Sequence, residues 1–204
     1  MIRVLIADDH EIVRDGLKRI LAATTDIEVA AEAARGDEAL ALVRGNDYDV
    51  ALIDMSMPGL SGIDLVKRLH AEKPRLRLLV LSMHGEHQYA VRALKAGASG
   101  YLTKDSASER LLGAIRKVAA GGVHISEAAA ASIVSQDKAT HEALSDREFE
   151  VMRLLVEGLS PTDIGERLHL SVKTVSTHKA RILEKLKLGS TAELVRYAME
   201  NKLL

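Results

Sequence analysis

The chain has 204 residues, with 28 Lys and Arg against 29 Asp and Glu, 47% hydrophobic and 2% aromatic residues, and neither Cys nor Trp. Its length fits one large domain or two small ones, and the lack of Cys excludes a disulfide framework, a thiolate zinc site and a cysteine nucleophile. The longest apolar runs, such as Val50-Ala51-Leu52-Ile53 and Leu78-Leu79-Val80-Leu81, fall far short of the ~20 residues of a membrane span, and the net charge of −1 speaks against a uniformly basic nucleic-acid binder.

The N-terminus, Met1 to Ile6, runs straight into Asp8-Asp9, without the long apolar region or small-residue cleavage site of a signal peptide. A soluble, cytoplasmic protein with no membrane partner is expected. In chain order, short β-branched runs predict strands at 3–7, 27–33, 49–54, 77–82 and 100–103. Segments of helical period predict helices near 11–23, 36–45, 61–72, 86–96 and 106–120. This alternation is that of a doubly wound parallel sheet. Gly121-Gly122 stops the fifth helix, and an Ala- and Ser-rich stretch follows, read as a tether over 121–142. No strand pattern appears beyond it. Ser145 caps a helix over 146–157 with Glu148 completing a capping box, Ser160-Pro161 opens 161–168, Ser171 caps 172–187, and Thr191 caps 192–202. The expected domains are therefore 1–120, a linker at 121–142, and a small all-α domain at 143–204.

Placed on these strands, the unusual polar residues gather at one end of the sheet. Asp8 and Asp9 follow the first strand, Asp54 ends the third, Ser82 the fourth and Lys104 the fifth. Open α/β sheets bind ligands outside the carboxyl ends of their strands. Three carboxylates there repel one another, and a hard divalent cation such as Mg²⁺ offsets that repulsion. Asp54 would be a nucleophile forming an acyl phosphate, with the Lys104 ammonium and Ser82 hydroxyl holding phosphoryl oxygens. Any one of these Asp is more often a turn former, so the weight rests on their joint placement. His84 and His87 are three apart, but with no Cys to complete a ligand set they read as surface or interface residues. His10 reads as lining the pocket rim.

The segments Val4-Leu5-Ile6-Ala7-Asp8-Asp9-His10, Asp54-Met55-Ser56-Met57-Pro58-Gly59, Leu81-Ser82-Met83-His84 and Ala96 to Lys104 resemble the receiver domain of two-component response regulators, the last of them the NarL/FixJ branch. The resemblance implies a flavodoxin-like domain phosphorylated on Asp54 by a partner histidine kinase. It implies Mg²⁺ held by Asp9, Asp54 and the Ser56 backbone carbonyl, with Asp8 reaching it through water. Ser82 and Tyr101 match the family's switch positions and Lys104 its phosphate-binding lysine. Phosphorylation would replace the carboxylate with a group of about −2 charge and three acceptor oxygens. Ser82 would turn inward to one of them, and the Tyr101 ring would fill the gap.

Residues 141–204 are neutral overall, yet within Ser171 to Lys187 five basic side chains oppose only Glu184, a net of +4. On a helical wheel Val172, Val175, Ile182, Leu183 and Leu186 form an apolar face, with Lys173, Thr177, Ala180, Arg181 and Glu184 broadly opposite and Ser176 at the flank. With a short helix and the turn His169-Leu170-Ser171 before it, this is helix-turn-helix geometry, although charge alone favours an ordinary solvated face.

The segments Leu144-Ser145-Asp146-Arg147-Glu148, Glu157-Gly158-Leu159-Ser160, Ile164 to Leu168 and Ser171 to His178 resemble the LuxR-type DNA-binding domain, a four-helix module whose third helix enters the major groove. The resemblance implies that Lys173, Ser176, Thr177 and Ala180 face bases and that Lys179, Arg181 and Lys185 are mainly phosphate contacts. Lys179 departs from the pattern by projecting near the centre of the apolar face. Leu194, Val195, Tyr197 and Ala198 of the last helix form a dimer surface or close the small domain's core. The expectation is a phosphorylation-switched transcription regulator acting on double-stranded promoter DNA. It would be a homodimer when phosphorylated, with RNA polymerase as a further partner, and not an enzyme beyond its own phosphoryl transfer. A phosphohydrolase using an aspartyl phosphate is disfavoured because Asp54-Met55-Ser56 offers no carboxylate two residues on. A dinucleotide-binding module is disfavoured because no G-x-G-x-x-G follows a strand.

Overall fold

A computed structural model describes residues 1–57, 60, 62–82, 87–126, 144–201 and 203, with the backbone alone at 87, 88 and 106–109. The chain forms two compact units, Met1–Val134 and Ser135–Leu204. His84 and most of the expected tether lie outside the described residues.

In the first unit, strands β1 (Ile2–Ala7), β2 (Ile27–Ala33), β3 (Val50–Asp54), β4 (Arg77–Ser82) and β5 (Gly100–Thr103) alternate with helices. These are α1 (Glu11–Ala22), α2 (Gly36–Gly45), α3 (Gly62–Glu72), α4 (His87–Lys95) and α5 (Lys104–Ala119). The sheet is parallel throughout, in the order β2-β1-β3-β4-β5. Strands covered on both faces read as nearly continuous apolar runs, which is why β1, β3 and β4 are the most legible segments of the sequence. Val4, Ile6, Leu52, Leu79, Leu81 and Leu102 form one core layer with Leu17 and Leu21 of α1 and Leu111, Ile115 and Val118 of α5. The strand order reverses at β1, with β2 on one side and β3 on the other. The crevice for a ligand therefore opens beyond the ends of β1 and β3.

Two boundaries differ from the sequence reading. Lys104 does not end β5: Thr103 does, in extended conformation, and Lys104 is the first residue of α5. The expected tether also begins tied down. The His124 carbonyl accepts from Tyr101 N at 2.8 Å, and His124 N donates to the Ser99 carbonyl at 3.1 Å, so a parallel bridge joins this segment to β5. Gly100 is required at that crossing, because a Cβ there would lie 2.8 Å from the His124 carbonyl oxygen.

The second unit contains α6 (Asp146–Val156), α7 (Pro161–Leu168), α8 (Val172–Leu186) and α9 (Thr191–Glu200). Ser145 and Ser160 each form a capping box, with Glu148 and Asp163 respectively, and Pro161 sits in the first turn of α7, where its missing N–H costs nothing. The cap of α9 is Ser190, which accepts from Glu193 N at 3.2 Å, and not Thr191 as expected. A hydroxyl three residues before Glu193 reaches its N–H, and Thr191 is already helical. Phe149, Leu154, Ile164, Val175, Ile182, Leu194 and Ala198 are fully buried. Leu194 and Ala198 thus close the small core, while Val195 and Tyr197 are half-buried.

Candidate functional site

The β1 turn delivers Asp8 and Asp9, β3 delivers Asp54, β4 delivers Ser82 and the start of α5 delivers Lys104 to one end of the sheet. Asp8, Asp54 and Ser82 are 1%, 2% and 4% exposed. Lys104 Nζ lies 2.7 Å from Asp8 Oδ2 and 3.0 Å from Asp54 Oδ1, so one ammonium bridges two buried carboxylates. Burial pushes the Asp54 carboxyl up to about 6, against the pull of Lys104 and with the help of Asp8 and Asp9. Burial alone would depress Lys104, yet the charges of Asp54 and Asp8 outweigh it and its pKa is raised.

Asp54 Oδ2 is buried and accepts no hydrogen bond from the described residues. Ligand atoms of Asp8, Asp9, His10 and Asp54 all lie within 4.8 Å of one another. A buried carboxylate oxygen lacking a donor, among three like charges, fits a hard divalent cation. Ser56 follows Asp54 by two residues in a turn and is half-buried, with its neighbours Met55 and Met57 buried. Tyr101 is 7% exposed, so its ring already occupies a buried position.

Two residues at this site carry more than the sequence reading assigned. The Arg14 guanidinium donates to the Asp8 carbonyl at 2.8 Å and lies 3.4 Å from Glu32 on β2, which fixes the turn carrying both aspartates. His10 Nδ1 lies 2.9 Å from Asp9 Oδ1. Adjacency to Asp8-Asp9 was the signal for His10. Arg14, one turn into α1, gave none.

In the second unit α7 ends on His169 in the left-handed region, φ 53°, and Leu170 N donates to the Gly165 carbonyl at 2.8 Å. This turn sets α8 against α7. A Cβ on Gly165 would stand 2.7 Å from the Leu170 carbonyl oxygen, so glycine is required there. Arg147 of α6 donates to the Leu168 carbonyl at 2.6 Å and braces the same turn.

Lys173, Ser176, Thr177, Ala180, Arg181 and Glu184 are exposed along one stripe of α8, opposite buried Val175, Ile182 and Leu186. The Thr177 hydroxyl donates to the Lys173 carbonyl at 3.0 Å, leaving its oxygen as an acceptor. Lys179 is half-buried, as its place near the apolar face implied. Val172, expected in that face, is 47% exposed. At the first turn of the helix the core has not yet closed over it. Lys185 donates to Glu148 Oε2 at 2.6 Å, so its ammonium is held against α6 although the side chain is exposed. Burial alone would raise Glu148, but Lys185 and the Ser145 N–H and hydroxyl outweigh it and its pKa is lowered.

No described helix is long and apolar enough to cross a membrane. Residues 4–116 match the response regulator receiver domain family, and residues 142–198 match the luxR family of bacterial regulatory proteins. The oxygen regulatory protein NreC of Staphylococcus haemolyticus is 39% identical over 99% of both chains. The response regulator UvrY of Escherichia coli is 35% identical over all of this chain and 96% of its own. Among solved structures, RcsB of Salmonella enterica serovar Typhimurium, bound to promoter rprA in the presence of the phosphomimetic BeF₃⁻, superposes with a TM-score of 0.65 at 27% identity, over 96% of this chain and 97% of its own. With a doubly wound receiver carrying an acidic pocket and a helix-turn-helix unit behind it, the chain belongs to the two-component response regulators with a LuxR-type DNA-binding domain.

Proposed function

We propose that Asp54 is the phosphoacceptor, that a sensor histidine kinase is the donor, and that the modification switches DNA binding by α8. The observation that carries this is the Lys104 ammonium bridging Asp8 and Asp54 beside a buried Asp54 oxygen with no donor among the described residues. An Asp54 carboxylate oxygen attacks the phosphorus of a phosphohistidine. The P–N bond breaks, and the departing imidazole takes up a proton from solvent. Lys104 draws charge from the acceptor side and then faces the new phosphoryl oxygens. The Ser82 hydroxyl donates to one of them, and Tyr101 holds the buried position next to the vacated space. Asp9, Asp54 and the Ser56 carbonyl would hold Mg²⁺, with Asp8 beside them, and the ion would supply neutralisation of phosphoryl charge.

In the second unit, Lys173, Ser176, Thr177 and Ala180 address base edges in the major groove of promoter DNA, and Lys179 and Arg181 address phosphates. The exposed stripe on α8 supports this assignment. Two copies bind two half-sites, phosphorylation favours the dimer, and the bound dimer acts on RNA polymerase in the cytoplasm. The chain turns over no substrate other than its own phosphoryl group.

The test is labelling by acetyl phosphate with Mg²⁺, followed by binding to promoter fragments across a salt series. Wild-type protein takes a base-labile label and binds more tightly once labelled. Asp54→Asn takes none. Label of the same lability on Asp54→Asn would overturn the acceptor assignment.

A further inference from the structure

The geometry points to His10 as a nitrogen ligand that makes the acidic pocket favour divalent transition-metal cations, Mn²⁺ and Zn²⁺ in particular, over Mg²⁺. This rests on Asp8, Asp9 and Asp54 being a cation site, and adds to that site a fourth donor of a different chemical kind.

The His10 backbone is fixed. Its N–H donates to Asp8 Oδ1 at 2.9 Å, and its carbonyl accepts from Val13 N and Arg14 N, both at 3.1 Å, as α1 begins. Its ring nitrogen Nδ1 is turned to the carboxylates, 2.9 Å from Asp9 Oδ1 and 3.4 Å from Asp8 Oδ1. The buried Asp54 oxygen, without a donor among the described residues, is a second, independent sign that the cluster is built to take positive charge.

Ligand chemistry then separates the ions. Mg²⁺ prefers oxygen donors and retained waters and gains little from imidazole. Mn²⁺ binds carboxylates with one or more imidazoles, and Zn²⁺ favours imidazole nitrogen more strongly still. For these ions Nδ1, already facing Asp9 and Asp8, joins the carboxylate set as a nitrogen donor. For Mg²⁺ the ring, 64% exposed, swings into water and leaves the oxygens to bind alone. The site is thereby sensitive to which divalent ion is abundant, without any change in its carboxylates.

The test uses the full-length protein with Mn²⁺ alone, with Mg²⁺ as competitor, and pulsed EPR of the bound Mn²⁺. The wild type is expected to show ¹⁴N modulation of a directly bound imidazole. His10→Ala should lose that modulation, and its ratio of Mn²⁺ to Mg²⁺ affinity should fall by about tenfold. His169→Ala, with its imidazole in the other unit, should keep both, and Asp54→Asn should weaken both ions and so locate the site. Mn²⁺ that binds through Asp54 without ¹⁴N modulation, or an affinity ratio unmoved by His10→Ala, overturns the inference while leaving the phosphoacceptor reading intact, since that reading is scored by acetyl phosphate labelling of the wild type. Absence of any Asp54-dependent binding of either ion overturns both.

Discussion

Glu148 and Lys185 form an ion pair, Oε2 to Nζ at 2.6 Å, that fastens α8 to the first turn of α6. The same Glu148 oxygen accepts from Ser145 N at 2.8 Å, so one carboxylate both closes a capping box and anchors α8. With its ammonium committed there, Lys185 stands apart from the other basic residues of the helix. Lys185→Met should destabilise the second unit by about 1–2 kcal/mol, because it leaves a buried carboxylate without its cation, moderated by solvent at the half-exposed lysine. It should leave the salt dependence of DNA binding close to that of the wild type. Lys173→Ala and Arg181→Ala should each lower the slope of log affinity against log salt by about 1 while leaving thermal stability alone. Melting curves and salt titrations on one promoter fragment separate the two behaviours.

The Asp54 carboxyl titrates in the folded, metal-free protein near 6, above its ordinary value of 3.8. A raised acid binds its proton more tightly when folded, so its contribution to stability is complete below about 4 and is lost as pH rises to about 6. Asp54→Asn removes that loss. In EDTA the stability of the variant minus that of the wild type should grow between pH 4 and 6 and level off above. Added Mg²⁺ should stabilise the wild type at pH 7.5, by about 1.4 kcal/mol for each tenfold excess over its dissociation constant, and the variant much less. A difference that is flat across the window would contradict the burial of this carboxylate.

Arg14 acts on the pocket through the backbone, its guanidinium donating to the Asp8 carbonyl at 2.8 Å with Glu32 behind it. Arg14→Ala should weaken Mg²⁺ binding by about tenfold by loosening the turn that aims Asp8 and Asp9. Arg14→Lys should restore part of the affinity. Amide chemical shifts of residues 8–10 in an Mg²⁺ titration report this directly and do not depend on phosphoryl transfer.

Gly165→Ala places a methyl 2.7 Å from the Leu170 carbonyl oxygen, at the turn between α7 and α8. The backbone must move to make room, costing on the order of 2 kcal/mol. Promoter affinity should fall more than helicity by circular dichroism, since the angle of α8 is disturbed before its hydrogen bonds are.

What the sequence made legible follows the range of the forces involved. The apolar runs of β1, β3 and β4 and the serine caps at Ser145, Ser160 and Ser171 are local patterns, and they appear in the structure where periodicity and capping rules put them. Asp8, Asp9, Asp54, Ser82 and Lys104 converge because a parallel sheet sends every strand end the same way. The role of Arg14 and the pairing of Glu148 with Lys185 were invisible because each depends on a partner in another element. Arg14 meets Glu32 18 residues on, and Lys185 meets Glu148 37 residues back. The cap of α9 was misplaced by one residue because Ser190 and Thr191 are both good caps, and the hydrogen bond to Glu193 N decides between them.

The bridge between His124 and β5 also bears on how copies of this chain can meet. A parallel sheet has two open margins, here β2 and β5, and an open margin invites strand exchange and aggregation. At β5 the Tyr101 N–H is already taken by the His124 carbonyl. The chain leaving the receiver thus guards the β5 margin of its own sheet at Gly100 and Tyr101.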